Sequence, residues 1–204
     1  MMRRKKEDAL LTRETILDAA LKVFSRNGYA LSTLEDIAKE AKVTRGAIYW
    51  HFENKVEIYA ALVGERSSKA FALFSEIINN KSSPLDKLRQ LLIQPLIYIQ
   101  ENAEYRAILK LTTFKTEVTE EMIPFVQKKV ENNRILTGYF VKIVEEGRIA
   151  GEIRQDVDPE VEALIILGFL NGILLLWLTD EAAFSPKQQA EIIIETFLRG
   201  LMPE

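Results

Sequence analysis

The chain has 204 residues, of which 48% are hydrophobic and 28% charged, so it can bury a sizeable core and is too apolar to be disordered. A net charge of −3 argues against wide, nonspecific phosphate coverage, the absence of cysteine excludes disulfides and thiolate chemistry, and a single histidine excludes a multi-histidine zinc centre. No catalytic group, metal or cofactor is expected, and cysteine usage suits a reducing cytoplasm.

Divided along the chain, the charge has a direction. Residues 1–60 carry 11 Lys and Arg against 9 Asp and Glu, whereas residues 61–204 carry 16 against 21. The first segment is the basic one, and Arg3, Arg4, Lys5 and Lys6 read as a solubilising leader with no secretory h-region behind it.

Helical periodicity runs almost throughout, with no convincing alternation of period 2. From Thr12, the residues Ile16, Leu17, Ala20, Val23 and Phe24 make one apolar stripe that Asn27-Gly28 ends. Ser32 or Thr33 caps a second, short helix; Ser32 and Glu35 have capping-box spacing, and Leu34, Ile37, Ala38 and Ala41 form its buried stripe. Thr44 caps a third, in which Ile48 and Phe52 share one face. A fourth runs from Asn54 to about Asn80. Five more are expected near 85–102, 104–113, 119–147, 158–179 and 185–201, with Pro95 kinking the first of these and Asp158-Pro159 starting the fourth.

Two short helices joined by about three residues, the second with a polar face, make a helix-turn-helix. On that second helix Arg45 can donate two hydrogen bonds to a guanine edge, and Gly46 lets the backbone approach it closely. Thr44, Tyr49, His51 and Lys55 suit phosphate oxygens, as does Thr33 at the start of the preceding helix. Trp50 reads as cover for a small three-helix core.

The stretch "TRETILDAALKVFSRNGYALSTLEDIAKEAKVTRGAIYWHFENKVEIYAAL", residues 12–62, resembles the DNA-binding domain of the tetracycline-repressor (TetR) family of bacterial regulators. Within it "TRGAIYWHF" is similar to the branch that represses multidrug efflux pumps. The family often has glycine in the turn before the recognition helix, where this chain has Lys42; if positive φ is needed there, lysine costs roughly 1 kcal/mol relative to glycine.

Residues 163–178, "ALIILGFLNGILLLWL", are apolar on nearly all sides. Such a helix is buried on both faces; at this length and with acidic flanks it is not expected to cross a membrane. One face can pack within its own domain, and the other, with the helix at 185–201, suits an isologous four-helix homodimer interface. Dimerisation meets a second need, because one helix-turn-helix reads too few bases and two-fold pairs read palindromic half-sites.

The resemblance also implies a cavity for a lipophilic small molecule, enclosed by the fourth to eighth helices. Leu91, Leu92, Pro95 and Phe114 are nominated to line it, with Leu136, Leu167, Leu170 and Asn171. The Asn171 amide, in so apolar a run, faces a ligand, a water or the dimer partner.

The expected architecture is therefore all-α. Residues 1–54 form an N-terminal three-helix helix-turn-helix domain, joined by a long fourth helix to an all-helical ligand-binding and dimerisation domain within residues 55–204. The expected function is a ligand-responsive cytoplasmic repressor on a double-stranded DNA operator, controlling an efflux or detoxification gene. Its rivals are an enzyme acting on a lipophilic substrate in the C-terminal cavity and a nonspecific architectural DNA-binding protein.

Overall fold

A computed structural model describes residues 2–203, and among them every regular element is helical. In chain order these are α1 (Met2–Asn27), α2 (Leu34–Ala41), α3 (Arg45–His51), α4 (Lys55–Asn79), α5 (Pro84–Glu101) and α6 (Ala103–Phe114). After a 3-10 turn at Glu120–Met122 follow α7 (Ile123–Ile149), α8 (Pro159–Thr179) and α9 (Pro186–Leu198). The first helix begins well before Thr12, so the basic leader is helical.

The helices divide into two compact units, one comprising the chain up to Ser68 together with Glu104–Val126, the other Lys69–Ala103 with the chain from Gln127 onward. Packing therefore does not follow the linear division expected after residue 54: the first half of α4, most of α6 and the start of α7 belong with the first three helices.

In the first unit the predicted stripe of α1 is fully buried: Ile16, Leu17, Ala20, Val23 and Phe24 have no exposed surface. Ile37 and Ala38 of α2, Ile48 of α3, Ile58 and Leu62 of α4, and Ile108 and Leu111 of α6 close over it. Phe24, Tyr29 and Tyr59 form an aromatic triangle with centroids 5.1–6.0 Å apart, a spacing that suits edge-to-face packing. Charge clamps the rim. The Arg13 guanidinium meets both carboxylate oxygens of Glu65 at 2.6 and 2.8 Å, and Arg66 reaches Glu14, Asp18 and Glu104.

The α2 start differs from the expected capping box by one residue. Thr33 is the N-cap: its hydroxyl accepts from Asp36 N–H, and the Asp36 carboxylate accepts from Thr33 N–H at 3.0 Å. Ser32 is instead buried and donates to Gly28 O at 2.6 Å. Thr44 caps α3 as expected, accepting from Ala47 N–H at 3.1 Å.

The α2 end explains the departure at Lys42. Val43 N–H donates to Ala38 O at 3.0 Å and Lys42 N–H to Lys39 O at 3.2 Å, which is the Schellman pattern and places Lys42 in the left-handed region at φ 56°. Lysine thus occupies a position whose backbone favours glycine.

In the second unit α5, α7, α8 and α9 share a core that includes Leu88, Leu92, Phe140, Ile166 and Ile194. Although Pro95 removes one helical hydrogen bond, α5 continues through it to Glu101. Glu195 accepts from Arg89 Nε at 2.5 Å, tying α9 to α5. The end of α7 lies so close to the following loop that a Cβ on Gly147 would stand 2.6 Å from Ile153 Cδ1. Asp158 caps α8, accepting from Glu160 and Val161 N–H, with Pro159 in the first turn.

By length and composition α8 could cross a membrane, yet Ala163, Ile166 and Leu170 are packed in the core of its own unit. Its other stripe is uncovered: Val161, Leu164, Ile165, Leu175 and Leu176 are each 45% or more exposed.

Because relief of the left-handed penalty and the greater unfolded-state entropy of glycine oppose each other, Lys42→Gly should range from neutral to about 1 kcal/mol more stable in urea titrations. Lys42→Val, whose branched Cβ resists this region, should lose more than about 1 kcal/mol.

Candidate nucleic-acid interface

Helix α3 buries Ile48 and turns Arg45, Gly46, Tyr49 and Trp50 outward. Arg45 and Tyr49 lie one turn apart, and a guanidinium N–H donates to the phenol oxygen at 2.9 Å while the group lies 5.5 Å from the ring centroid. The Tyr49 hydrogen bond is the main reason that the Arg45 pKa is raised. Tyr49 therefore pre-orients a charged fork whose other N–H groups point to solvent.

A Cβ on Gly46 would meet only Thr44 Oγ1, at an ordinary 3.8 Å. Nothing inside the fold demands glycine there. The bare backbone instead keeps the helix face open for a close approach from outside. Thr44 is exposed and its hydroxyl accepts from Ala47, so its proton remains available to donate. Thr33 is exposed too, but its hydroxyl donates to Asp36 at 2.7 Å and accepts from the same residue's N–H. The bonds that the Thr33 hydroxyl and backbone N–H donate hold the Asp36 carboxyl below the usual range.

Two expectations change. Lys55, expected at a phosphate, instead donates its ammonium N–H groups to the carbonyls of Tyr29, Ala30 and Ser32 at 3.0, 3.3 and 2.9 Å and sits 4.3 Å from the Tyr29 ring centroid. All three donors are engaged inside the protein, where they brace the α1–α2 turn. Trp50, read as core cover, is 72% exposed and packs edge-on against His51 at 4.6 Å. The i, i+4 pair Ile48 and Phe52 already fills the core below, so Trp50 falls on the outer face with Tyr49.

His51 is half-buried between Trp50 and Phe52. Burial first, then the nearby Arg13 charge, lowers its pKa below 6.5. At neutral pH the imidazole is uncharged and can offer a phosphate a neutral N–H, not a cation.

The α1–α2 turn is held from a second side. Tyr29 N–H donates to Lys115 O at 2.9 Å, and the Lys115 ammonium donates to Ser25 O. The buried Tyr29 hydroxyl donates to Glu121 at 3.2 Å; burial, with the Glu121 charge, raises its pKa. Tyr59 Oη and Thr116 Oγ1 share a hydrogen bond of 3.0 Å.

The eight residues expected to line a ligand cavity fall in different environments. Leu91, Leu92, Pro95 and Leu170 are buried, the three leucines as members of the second unit's core. Leu167 packs partly against that core. Phe114 is 49% exposed and belongs to the first unit, because α6 packs with α1 and α4 instead of closing a ligand domain. Asn171 is exposed on the uncovered stripe of α8. Leu136 borders a crevice of about 280 Å³ between α4 and α7.

Two outcomes are expected. Replacing Lys55 by Met should cost about 1–3 kcal/mol of stability, since three carbonyls lose their donor. It should leave the slope of log DNA affinity against log salt unchanged, whereas loss of a phosphate-contacting cation would make that slope shallower by about 1. For His51 the folded pKa lies below 6.5, so the unfolded chain binds more protons below that pH and stability falls as pH drops. His51→Gln should flatten this part of the stability profile measured by urea titration.

Two sequence families match the chain: bacterial regulatory proteins of the tetR family over residues 16–62, and the C-terminal region of MAATS-type transcriptional repressors over residues 83–203. The HTH-type transcriptional regulator TtgR of Pseudomonas putida is 34% identical over 184 residues, covering 87% of this chain and 85% of TtgR. Among solved structures, NalD, the secondary repressor of the MexAB-OprM multidrug efflux pump in Pseudomonas aeruginosa, superposes with a TM-score of 0.86 at 26% identity, over 97% of this chain and 99% of NalD. SmeT of Stenotrophomonas maltophilia in complex with triclosan gives 0.81 at 25% identity, over 95% and 93% of the two chains. An exposed, pre-oriented arginine on the second helix of a helix-turn-helix, carried by a chain that matches along nearly its whole length, identifies a member of the TetR family of bacterial transcriptional regulators.

Proposed function

We propose that the chain is a homodimeric repressor that holds a palindromic operator and releases it when a lipophilic small molecule binds, so controlling an efflux or detoxification gene. The observation that carries the reading is the Arg45–Tyr49 pair beside bare Gly46, an arrangement with no role inside the fold. Arg45 reads a guanine edge in the major groove, and Thr44, Tyr49 and His51 contact phosphates, while the Thr33 donors stay committed to Asp36. Trp50 joins them from the same exposed face, and Lys55 acts behind them as a brace.

The first unit, the chain up to Ser68 with Glu104–Val126, carries the DNA-reading part, and the second unit supplies effector response and dimerisation. The uncovered stripe of α8, with Ile192 of α9 at 70% exposure, is the dimer face. Two copies bury these surfaces as an isologous four-helix contact and set the spacing of the two recognition helices. Regulation of an efflux gene is supported by likeness to NalD, and response to a small molecule by likeness to the triclosan complex of SmeT. A regulator is favoured over an enzyme because the groups that converge at the surface, a guanidinium, hydroxyls and a bare helix face, recognise a duplex and supply no general acid–base pair. Such a repressor works in the cytoplasm, where the DNA is.

The test begins by selecting bound duplexes from a random pool with the full chain. Arg45→Ala should lose about 1–3 kcal/mol of affinity for the selected duplex, roughly 10–100-fold, with relaxed preference at one position per half-site. Helical content and oligomeric state should not change. Undiminished specific affinity would remove the base-reading role.

A further inference from the structure

Among the described residues Lys42 is the one residue other than glycine with positive φ, at φ 56° and ψ 38°. The turn it closes uses only its backbone. Lys42 N–H donates to Ala38 O and Lys39 O, and Val43 N–H also donates to Ala38 O, so the last carbonyls of α2 are satisfied without any side chain. Glycine or asparagine would complete the same motif with less crowding. The negative end of the α2 dipole does not call for this cation either, because Lys39 already supplies one in the last turn.

What lysine adds therefore lies outside the fold. Its side chain is exposed, and its ammonium makes no hydrogen bond or ion pair to the described residues. Backbone strain kept where the fold gains nothing from it points to a functional position. The place in the chain says which function. Lys42 stands two residues before the Thr44 cap and three before Arg45. In a helix-turn-helix the first helix crosses the sugar–phosphate backbone and the start of the second reaches base edges. The turn that joins them runs along the rim of the groove. An ammonium on a flexible stem is a compact point charge that suits a phosphate, whereas a base edge calls for the fork of Arg45.

We infer that Lys42 is a phosphate-contacting residue, its ammonium donating to a backbone phosphate beside the base pair that Arg45 reads, with one such contact from each protomer. Lys55, turned inward onto three carbonyls, leaves that role open, and Lys42 fills it at the opposite end of α3. The contact rests on the reading that α3 enters the major groove. It carries a signature that a purely structural lysine lacks, since removing the charge should relieve the fold and weaken the complex together.

Three variants of the full chain test it: Lys42→Gly and Lys42→Asn, which suit the left-handed backbone without a charge, and Lys42→Arg, which keeps the charge. In urea titrations the two uncharged variants should be at least as stable as the parent. On the selected duplex each should bind roughly threefold or more weakly at about 0.1 M salt, with the slope of log affinity against log salt shallower by about 1 for each protomer. An unrelated duplex should lose affinity in parallel, and base preference within the half-site should not change. Lys42→Arg should keep the parent slope. A full parental slope in both uncharged variants overturns the contact, and the base-reading role stands if Arg45→Ala still relaxes preference. A shallower slope in both, beside an Arg45→Ala that keeps its preference, retains the phosphate contact and overturns the base-reading role instead.

Discussion

The recognition helix depends on one turn far from its own tip. Between α1 and α2 the chain presents three carbonyls, of Tyr29, Ala30 and Ser32, to a single ammonium from the first residue of α4. Without that donor the Ser32 and Ala30 carbonyls would lose it and Tyr29 O would keep only Ser32 N–H, at a cost of about 1–3 kcal/mol. Because α2 starts immediately after this turn and α3 follows a tight Schellman end, the direction of the recognition helix is set by how firmly the turn is held. Glu121, Lys115 and Thr116 reach the same aromatic cluster from the far side of the sequence. The DNA-reading head is thus a discontinuous unit, closed by residues almost a hundred positions downstream.

The remaining organisation follows from surface that the chain does not cover for itself. One stripe of α8 completes the core of the second unit, while the opposite stripe presents Leu164, Ile165 and Leu176 to solvent. Contiguous apolar area of this kind marks an association surface. The walls of the α4–α7 crevice form a second uncovered region, smaller, concave and bordered by amides. The exposed stripe of α8 is a helix face, which suits the proposed contact with a second copy.

Electrostatics sharpen the reading of the first unit. At the head, Arg45 is exposed and oriented, Arg13 and Arg66 are tied to carboxylates, and His51 is kept neutral by burial and by Arg13. Among the described side chains of the head, Arg45 is therefore a cation held outward and not tied to a carboxylate. That distribution favours local reading over general attraction to duplex, in keeping with the chain's net charge of −3.

The sequence by itself determined the all-helical class, the helix-turn-helix, the cap at Thr44, the Asp158-Pro159 start of α8 and the outward face holding Arg45, Gly46 and Tyr49. Periodicity and capping act over a few residues, and local sequence carries that information completely. Tertiary structure decided which side chains meet across long separations. Lys55 has the composition of a phosphate contact, and only the packing of α4 against a turn more than twenty residues earlier directs its charge inward. Trp50 has the composition of a core residue, and Ile48 and Phe52 leave it no room. The expected ligand lining followed individual apolar residues of α5 and α8, which proved to be core. The crevice was written as two stripes spaced 3, 4 and 7, at 71–79 and 132–139, but such spacing marks a helix face without saying whether that face closes on a neighbour or stays open, because that depends on how whole helices pair in space.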